Sequence, residues 1–236
     1  MHSFSCKVYL PFTDRDESGH SPPVLFDPAV WLVHVTTFLL IRHAHCDPIG
    51  YSIAGRTPGV HLNAQGQAAA IALAERLSRM AIKAVYSSPL ERARETVQPM
   101  AQRLGLEVQT APGLLEVDFG DWTGRTLADL DRIPEWKAFN SFRSGTRIPG
   151  GENMAEVLAR ALQDIDRIQS VHSAPSDLVA VVSHGDVLRV LIAHYLGIPV
   201  DLFQRLELGP ASVSVLSLEP YGPRVLLLNA TEEWPA

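Results

Sequence analysis

The chain has 236 residues, of which 46% are hydrophobic, and it carries a formal net charge of −6. This length and composition predict one enzyme-sized domain with a sizeable core. The negative charge argues against the broad basic face that binds nucleic acids, and no apolar run in the sequence reaches the length of a membrane span. An anionic ligand would therefore have to be held by a few well-placed cations.

The first 34 residues are predicted to be a disordered extension, and residues 35–236 to form the domain. The extension is rich in charged residues and proline, and it lacks the basic start and apolar stretch of a secretory signal. The first strand-like run, TTFLLI, follows Val35, which becomes a candidate initiator if it is read as methionine from an alternative start codon. Cys6 and Cys46 are the two cysteines of the sequence, and this usage predicts a reducing cytoplasm without a disulfide framework.

Strands and helices alternate after this point. TTFLLI is followed by a loop rich in glycine and proline over residues 47–61 and by a helix that Asn63 is predicted to cap. KAVYSS predicts the second strand. The next four residues, SPLE, have the spacing of a capping box on Ser88, with Pro89 at the first helical position. The helix after them is predicted to end at Gly105, and LEVQT to form a third strand.

The helical periodicity weakens over residues 112–151, which are predicted to form an inserted cap over a site. A long amphipathic helix is predicted from about Asn153, and LVAVVS, which has no polar face, predicts a central strand. HGDVLRVLIAHYLG predicts a further helix that Gly197 ends, and SVSVLSLE and RVLLLN predict an edge hairpin. The whole pattern predicts an α/β three-layer sandwich, with a mostly parallel central sheet, helices on both faces and the small inserted cap.

Ligands of such sheets bind beyond the carboxyl ends of the strands. Arg42 and His43 follow the first predicted strand, Arg92 lies near the start of the helix after the second, and His184 follows the central strand. A phosphate monoester carries about two negative charges near neutral pH, and two guanidinium groups match its oxygens well. The sequence therefore predicts a phosphate site in which Arg42 and Arg92 bind the anion.

The residues at this edge of the sheet also suggest a reaction, the hydrolysis of a phosphate ester. A neutral His43 could attack the phosphorus and form a phosphohistidine that water then hydrolyses, while His184 would donate to the phosphoryl oxygens. Gly185 would let the backbone approach the phosphate at a helix start. Glu116 is the candidate that protonates the leaving alkoxide, and Asp118 stays open as the alternative because spacing alone does not choose between them.

These residues lie in five motifs that occur in a fixed order. They are RHA at 42–44, SSPLERARET at 87–96, LLEVDFGDWTG at 114–124, PGGEN at 149–153 and SHGD at 183–186. Over roughly residues 36–220 the sequence resembles the histidine phosphatase superfamily, the phosphoglycerate mutase-like enzymes. The resemblance implies that His43 is phosphorylated, that Arg42, Arg92 and His184 complete the phosphate pocket, and that Glu116 is the proton donor. It implies no metal and no organic cofactor.

Three positions depart from the pattern of that family. Ala44 follows the nucleophile where glycine is usual, Ile49 stands where the mutases often have asparagine, and Thr123 stands where glutamate is common. Ile49 and the short spacing from Glu116 to His184 favour a phosphatase acting on small phosphorylated metabolites. A phosphotransferase of the phosphoglycerate mutase type stays an alternative.

Two alternatives come from other classes of function. A His-x-His pair at a strand end is also typical of metal-dependent hydrolases, in which His43 and His45 would be ligands. That reading leaves Arg42 and Arg92 without a role, so His45 is instead interpreted as part of the pocket wall. A non-catalytic phospholigand binder is the other alternative, although the sequence retains both the nucleophile and the acid. The physiological substrate and the oligomeric state stay open, a homodimer being one option, and no nucleic-acid or membrane partner is expected.

Overall fold

The computed structural model describes residues 35–174 and 177–231, so the extension predicted over residues 1–34 lies outside the described residues. The strands are β1 (Thr36–Arg42), β2 (Ile82–Ser87), β3 (Val108–Thr110), β4 (Asp177–Ser183), β5 (Val213–Glu219) and β6 (Gly222–Ala230). The α-helices are α1 (Ala64–Leu77), α2 (Glu91–Leu104), α3 (Leu127–Leu130), α4 (Pro134–Ser141), α5 (Met154–Val171) and α6 (Gly185–Leu196). Three short 3-10 turns cover Pro112–Leu114, Gly120–Trp122 and Val200–Arg205.

The six strands form one sheet in the order β3-β2-β4-β1-β5-β6. Strands β3, β2, β4 and β1 are parallel to one another, whereas β5 is antiparallel to β1 and β6 is antiparallel to β5. The mostly parallel sheet and the edge hairpin are therefore confirmed. β4 lies in the middle, and its residues 179–182 are completely buried, as its lack of a polar face predicts.

Alternate side chains of β1 point into two different cores, which makes the sandwich three-layered. Phe38 and Leu40 belong to the core that contains buried residues of α5 and α6. Leu39 and Ile41 belong to the core formed with α1 and α2. Because successive side chains of a strand point to opposite faces, a strand covered by helices on both faces must be apolar throughout.

Local signals explain most helix ends. The side chain of Asn63 accepts a hydrogen bond from the Gly66 amide (2.9 Å) and caps α1. Asn153 and Glu156 form a capping box at the start of α5. Gly105 and Gly197 end α2 and α6 in the left-handed conformation, with φ of 65° and 67°.

The capping box predicted at Ser88 is wrong. Helix α2 begins at Glu91, its N-cap residue is Leu90, and no side chain caps it. Pro89 therefore lies before the helix and not at its first position. The Ser88 hydroxyl is instead within hydrogen-bond distance of the His184 ring, because the pairing of β2 with β4 brings these two strand ends together.

Residues 112–151 contain the first two 3-10 turns, α3 and α4. Trp122 is at the centre of an aromatic cluster in this segment: its ring lies 5.3 Å from that of Trp136 and 5.5 Å from that of Phe139, edge to face. Burial of this cluster stabilises helices that are too short to be stable alone. Of the helices in the described part of the chain, none is long and apolar enough to cross a membrane.

Candidate active site

Two parallel strands bring two histidines side by side. In the register of β1 and β4, Arg42 lies opposite Ser183, so that His43 and His184 both follow directly after the paired ends. The His43 amide donates to the Ser183 carbonyl (2.9 Å), which extends the pairing by one residue. The two rings are buried, and their centroids are 5.2 Å apart.

The ring of His43 is oriented by its own backbone neighbour. Its Nδ1 lies 2.8 Å from the Ala44 carbonyl oxygen, and because a carbonyl can only accept, Nδ1 carries the proton. Nε2 then keeps its lone pair. Burial, together with the nearby Arg92 guanidinium, lowers the pKa of His43 to about 3, so its imidazole is neutral at physiological pH.

His184 is held from the opposite side. Its Nε2 lies 2.8 Å from the Ser88 hydroxyl, and both residues are completely buried. Its Nδ1 is buried without a hydrogen-bond partner among the described residues and lies 3.8 Å from Oε2 of Glu116. Burial lowers the pKa of His184 well below its usual value, and the charge of Arg92 acts in the same direction.

Both predicted arginines lie close to the two histidines, and each guanidinium group is held in position by a hydrogen bond from one of its nitrogens to a backbone carbonyl. Arg42 donates through Nη1 to the Leu208 carbonyl (2.6 Å), and Arg92 donates through Nη2 to the Gly55 carbonyl (2.8 Å). Nε of Arg42 and Nη1 of Arg92 are buried and have no partner within the described part of the chain. A Cβ atom at Gly185 would lie 3.3 Å from Nε of Arg42, so glycine keeps this donor accessible.

The structure separates the two acids that the sequence left open. The side chain of Glu116 lines the cavity, whereas that of Asp118 accepts from the Gly120 amide (3.0 Å) and lies 3.6 Å from Arg56 outside it. Burial raises the pKa of Glu116 to about 7, against the opposing effect of Arg92. A carboxyl group with this pKa is protonated in a large fraction of molecules at neutral pH.

Two arginines fix the position of Glu116 by binding carbonyl oxygens of residues 113–116, which we call the acid loop. Arg160 on α5 donates to three carbonyls of the loop: Gly113 (2.6 Å), Leu115 (2.6 Å) and Glu116 (3.1 Å). Arg56 also donates to the Glu116 carbonyl (2.8 Å). Neither arginine was predicted, because an arginine that binds carbonyls far away in the sequence leaves no local pattern.

His45 does not belong to this site, contrary to its interpretation as part of the pocket wall. It lines a separate cavity between α1 and the loop before β5. The His43–His45 metal pair is therefore not formed. His43, Glu116 and His184 do place their ligand atoms within 4.8 Å of one another, a spacing that could hold a metal ion. The charges of Arg42 and Arg92 act on both histidines and oppose a cation there.

Most of these groups line one cavity of about 280 Å³, and the ring of His184, which does not line it, packs against that of His43. Arg42, His43, Arg92, Glu116 and Gly185 line one end of it. The rest of its lining comes from residues between 46 and 55, from Phe119 and Leu127 of the segment 112–151, and from Asp186 and Arg189 of α6. Four ordered motifs thus supply a single pocket at the carboxyl ends of the parallel strands, as the strand-end rule predicts.

Comparison with known proteins agrees with this arrangement. Phosphoserine phosphatase 1 of Hydrogenobacter thermophilus is 30% identical over 203 residues, which cover 82% of this chain and 92% of that protein. A bifunctional protein of Mycobacterium tuberculosis is 35% identical over 202 residues, but this chain spans only 54% of its length.

Solved structures share the fold over most of the chain. A mycobacterial glucosyl-3-phosphoglycerate phosphatase superposes with a TM-score of 0.74 and 27% identity, covering 83% of this chain and 99% of that one. A putative α-ribazole-5′-P phosphatase from Escherichia coli superposes with a TM-score of 0.76 and 26% identity, covering 85% of this chain and 99% of that one. The family model of the histidine phosphatase superfamily (branch 1) matches residues 38–231. The chain therefore belongs to the histidine phosphatase superfamily.

Proposed function

We propose that this enzyme hydrolyses small phosphate monoesters through a phosphohistidine on His43. The observation that carries the proposal is a set of three buried donors, Arg42 Nε, Arg92 Nη1 and His184 Nδ1, which have no partner among the described residues. A buried polar group without a partner costs about 1–3 kcal/mol, so an anion that accepts from all three is bound strongly. A phosphoryl group offers three such acceptor oxygens.

In the first step Nε2 of His43 attacks the phosphorus, the N–P bond forms and the ester P–O bond breaks. The neutral state of the ring, which its lowered pKa maintains, keeps the lone pair available. The leaving alkoxide takes the proton of Glu116. In the second step Glu116 accepts a proton from water, the hydroxide attacks the phosphorus, and the N–P bond breaks, which restores His43 and releases inorganic phosphate.

A bound substrate should raise the pKa of Glu116, as burial does, and thereby keep the proton on this carboxyl group available. A phosphate dianion beside the carboxyl group disfavours its ionised form and raises its pKa further. The hydrogen bonds from Arg160 and Arg56 to the backbone carbonyl of Glu116 hold the acid in place without neutralising it.

Ser88 has a positioning role in the same proposal. Its Oγ accepts from the Leu90 amide (3.4 Å), and its own hydroxyl proton can then be donated to Nε2 of His184. This arrangement places the ring proton on Nδ1, the atom that is buried without a partner. His184 then presents a donor, rather than a lone pair, to the phosphoryl oxygens.

The direct test is turnover of a panel of phosphate monoesters by the purified protein. We expect His43→Asn to abolish turnover, and rapid quenching of the wild-type reaction to trap a phosphohistidine that is acid-labile and base-stable. His45→Asn is the matched control, because this histidine lies two residues away and lines the other cavity. Turnover that survives His43→Asn would contradict the proposal, and loss of activity in EDTA would favour the metal alternative.

Glu116→Gln tests the acid. We expect a loss of about 10²–10⁴-fold with alkyl phosphates, which need a protonated leaving group, and a much smaller loss with activated aryl phosphates. In the wild type kcat/KM for alkyl phosphates should fall as the pH rises above about 7, where Glu116 loses its proton, and this decline should be absent in the variant. Equal losses with both ester types would show that Glu116 is not the acid. Transfer of the phosphoryl group to a second metabolite, instead of to water, would favour the mutase alternative.

The remaining parts of the proposal concern organisation and location. We propose that residues 35–236 form the catalytic domain and that residues 112–151 cap its site, supported by Glu116, Phe119 and Leu127 of this segment lining the cavity. A small phosphorylated metabolite is the proposed partner. A cytoplasmic location is also proposed, and it is supported by Cys46, which is a buried free thiol.

A further inference from the structure

The part of the cavity lining that carries no phosphate donor differs from the donors in chemical character. Its wall is largely apolar and comes from Ile49, Ile53, Phe119 and Leu127. Asp186 and Arg189 of α6 also line the cavity, beside the donors: a Cβ atom at Gly185 would lie 3.3 Å from Nε of Arg42 and 3.7 Å from Nη1 of Arg189. Because the phosphoryl group occupies the donor end, this wall faces the alcohol part of the ester.

Arg189 is a poor receptor for a second anionic group of a substrate, because its charge is already paired with two carboxylates. Its Nε donates to the Leu206 carbonyl (2.9 Å), and its Nη1 donates to Oδ1 of Asp186 (3.0 Å). Its Nη2 lies 3.7 Å from Glu207. If a substrate carboxylate displaced Asp186 from this pair, Asp186 would stay in the cavity as a like charge beside it.

A second arginine, Arg143, also pairs with Asp186 but does not line the cavity. Nη1 of the buried Arg143 lies 3.6 Å from Oδ2 of Asp186, and its guanidinium stacks on the rings of Phe139 (4.4 Å) and Phe203 (4.6 Å). These contacts keep Arg143 out of the cavity wall, so it adds no donor to the substrate site.

Arg56, near the acid loop, is engaged in the same way, with Glu152 at 2.9 Å and Asp118 at 3.6 Å. Within residues 35–174 and 177–231, the buried guanidinium nitrogens of the cavity that lack a hydrogen-bond partner thus belong to Arg42 and Arg92.

The charges of the site are therefore matched to one phosphate group. Two guanidinium groups balance the roughly two negative charges of the monoester. A second anionic group on the alcohol would be desolvated against apolar side chains and Asp186 without a partner, which is unfavourable, whereas an apolar surface would be buried favourably there.

We propose, as a refinement that rests on the phosphatase function above, that the enzyme selects phosphate monoesters whose alcohol has no second negative charge and presents an apolar or aromatic surface, such as a nucleoside 5′-phosphate. Phosphoserine and glucosyl-3-phosphoglycerate, for which two of the similar proteins are named, both carry a carboxylate and belong to the disfavoured class.

Matched substrate pairs test this selection in the purified enzyme. Glycerol 3-phosphate and 3-phosphoglycerate differ only in a carboxylate, and we expect kcat/KM to favour glycerol 3-phosphate by about tenfold or more. A nucleoside 5′-monophosphate and ribose 5-phosphate differ in the aromatic base, and we expect the nucleotide to be favoured by a similar factor.

Two variants should weaken the discrimination. Asp186→Asn releases Arg189, and Ile53→Lys adds a cation at the apolar end without touching that ion pair. Each should raise the ratio of 3-phosphoglycerate to glycerol 3-phosphate hydrolysis by about tenfold. Glu75→Gln is the matched control, because it removes a carboxylate that pairs with an arginine (Arg103, 3.0 Å) on the exposed surface, and its ratio should equal that of the wild type.

The outcomes separate the two levels of the proposal. If the wild type hydrolyses 3-phosphoglycerate as well as glycerol 3-phosphate, or if neither variant changes the ratio, the selection is overturned while the phosphatase function stands. If the wild type hydrolyses none of the four esters, the phosphatase function fails and this refinement fails with it.

Discussion

Ser88 shows how a single hydroxyl can decide what a buried histidine does. It is the partner of Nε2 of His184, at 2.8 Å, and removing it leaves that nitrogen unpaired and the ring proton free to move to either position. We expect Ser88→Ala to lower kcat by about tenfold to a hundredfold, a part of what losing one oxyanion donor costs. Nitrogen-15 NMR of the His184 ring should show the proton leaving Nδ1.

The neighbouring Ser87 provides the control for this experiment. It is equally buried, but its hydroxyl donates to the Ser88 carbonyl (2.8 Å) and does not touch the ring. Ser87→Ala should retain both kcat and the ring spectrum of the wild type. If Ser88→Ala retains them as well, Ser88 only fills space.

Ser88 also marks the limit of what the sequence can predict at this scale. S-x-x-E is a local pattern, and whether its serine caps a helix or binds a distant ring depends on strand pairing that the pattern does not contain. His43, Arg42 and His184 were predictable because each lies at a strand or helix end that hydrophobic periodicity reveals. Choosing Glu116 over Asp118 required the path of the loop, which Arg56 and Arg160 determine.

At the scale of elements, α5 supports the acid loop through Arg160. The side chain of this residue is largely buried, pairs with Glu152 (2.9 Å) and satisfies three loop carbonyls. Arg160→Met retains much of the volume but leaves these acceptors unpaired. We expect it to lower the free energy of unfolding by about 2–4 kcal/mol, measured by urea denaturation. It should also lower kcat more for alkyl than for aryl phosphates, because Glu116 is displaced.

Arg167, two turns further along α5, is a suitable control. It pairs with Asp164 (2.8 Å), about half of its side chain is exposed, and it reaches the acid loop only through Asp164, whose Oδ2 accepts from the Gly113 amide (2.6 Å). Arg167→Met should cost about 1 kcal/mol or less and leave the ratio of alkyl to aryl turnover unchanged. Equal effects of the two substitutions would contradict the supporting role of Arg160.

The elements differ in how far their own sequence determines them. The ends of α1 and α6 are set by Asn63 and Gly197, whose effects are local, and they were predictable. Helices α3 and α4 were not, since they are only 4 and 8 residues long. They depend on the packing of Trp122, Trp136 and Phe139, which a period of 3.6 residues does not detect over such short lengths.

At the scale of the whole molecule, the uncharged histidines make stability depend on pH. Burial lowers the pKa of His43 from 6.5 to about 3, and that of His184 well below 6.5, so that below pH 6.5 the unfolded chain binds more protons than the folded one. Glu116 acts oppositely between pH 4.5 and about 7, because its pKa is raised on folding. Between pH 4.5 and 6.5 the unfolded chain binds about two more protons on the histidines, and the folded chain binds about one more on Glu116, so the unfolded chain binds about one more proton in total.

These three groups together should therefore lower the free energy of unfolding by about 1.4 kcal/mol for each unit that the pH falls in this window. Urea denaturation at pH 5 and pH 6 measures the difference. His43→Asn removes one of the two histidine contributions and should flatten the dependence. His194→Asn removes an exposed histidine of α6 and is the control. A dependence that is the same in both variants would show that His43 is not held uncharged by the fold.

The three unpartnered donors of the active site, on Arg42, Arg92 and His184, also have a consequence for turnover. They match the oxygens of inorganic phosphate as well as those of an ester, so the end product of each cycle competes with the next substrate for the same donors. The apolar wall contributes nothing to binding of the free ion, and it alone distinguishes substrate from product. We therefore expect inorganic phosphate to inhibit turnover by occupying these donors. The rate of the enzyme should fall as the phosphate concentration around it rises.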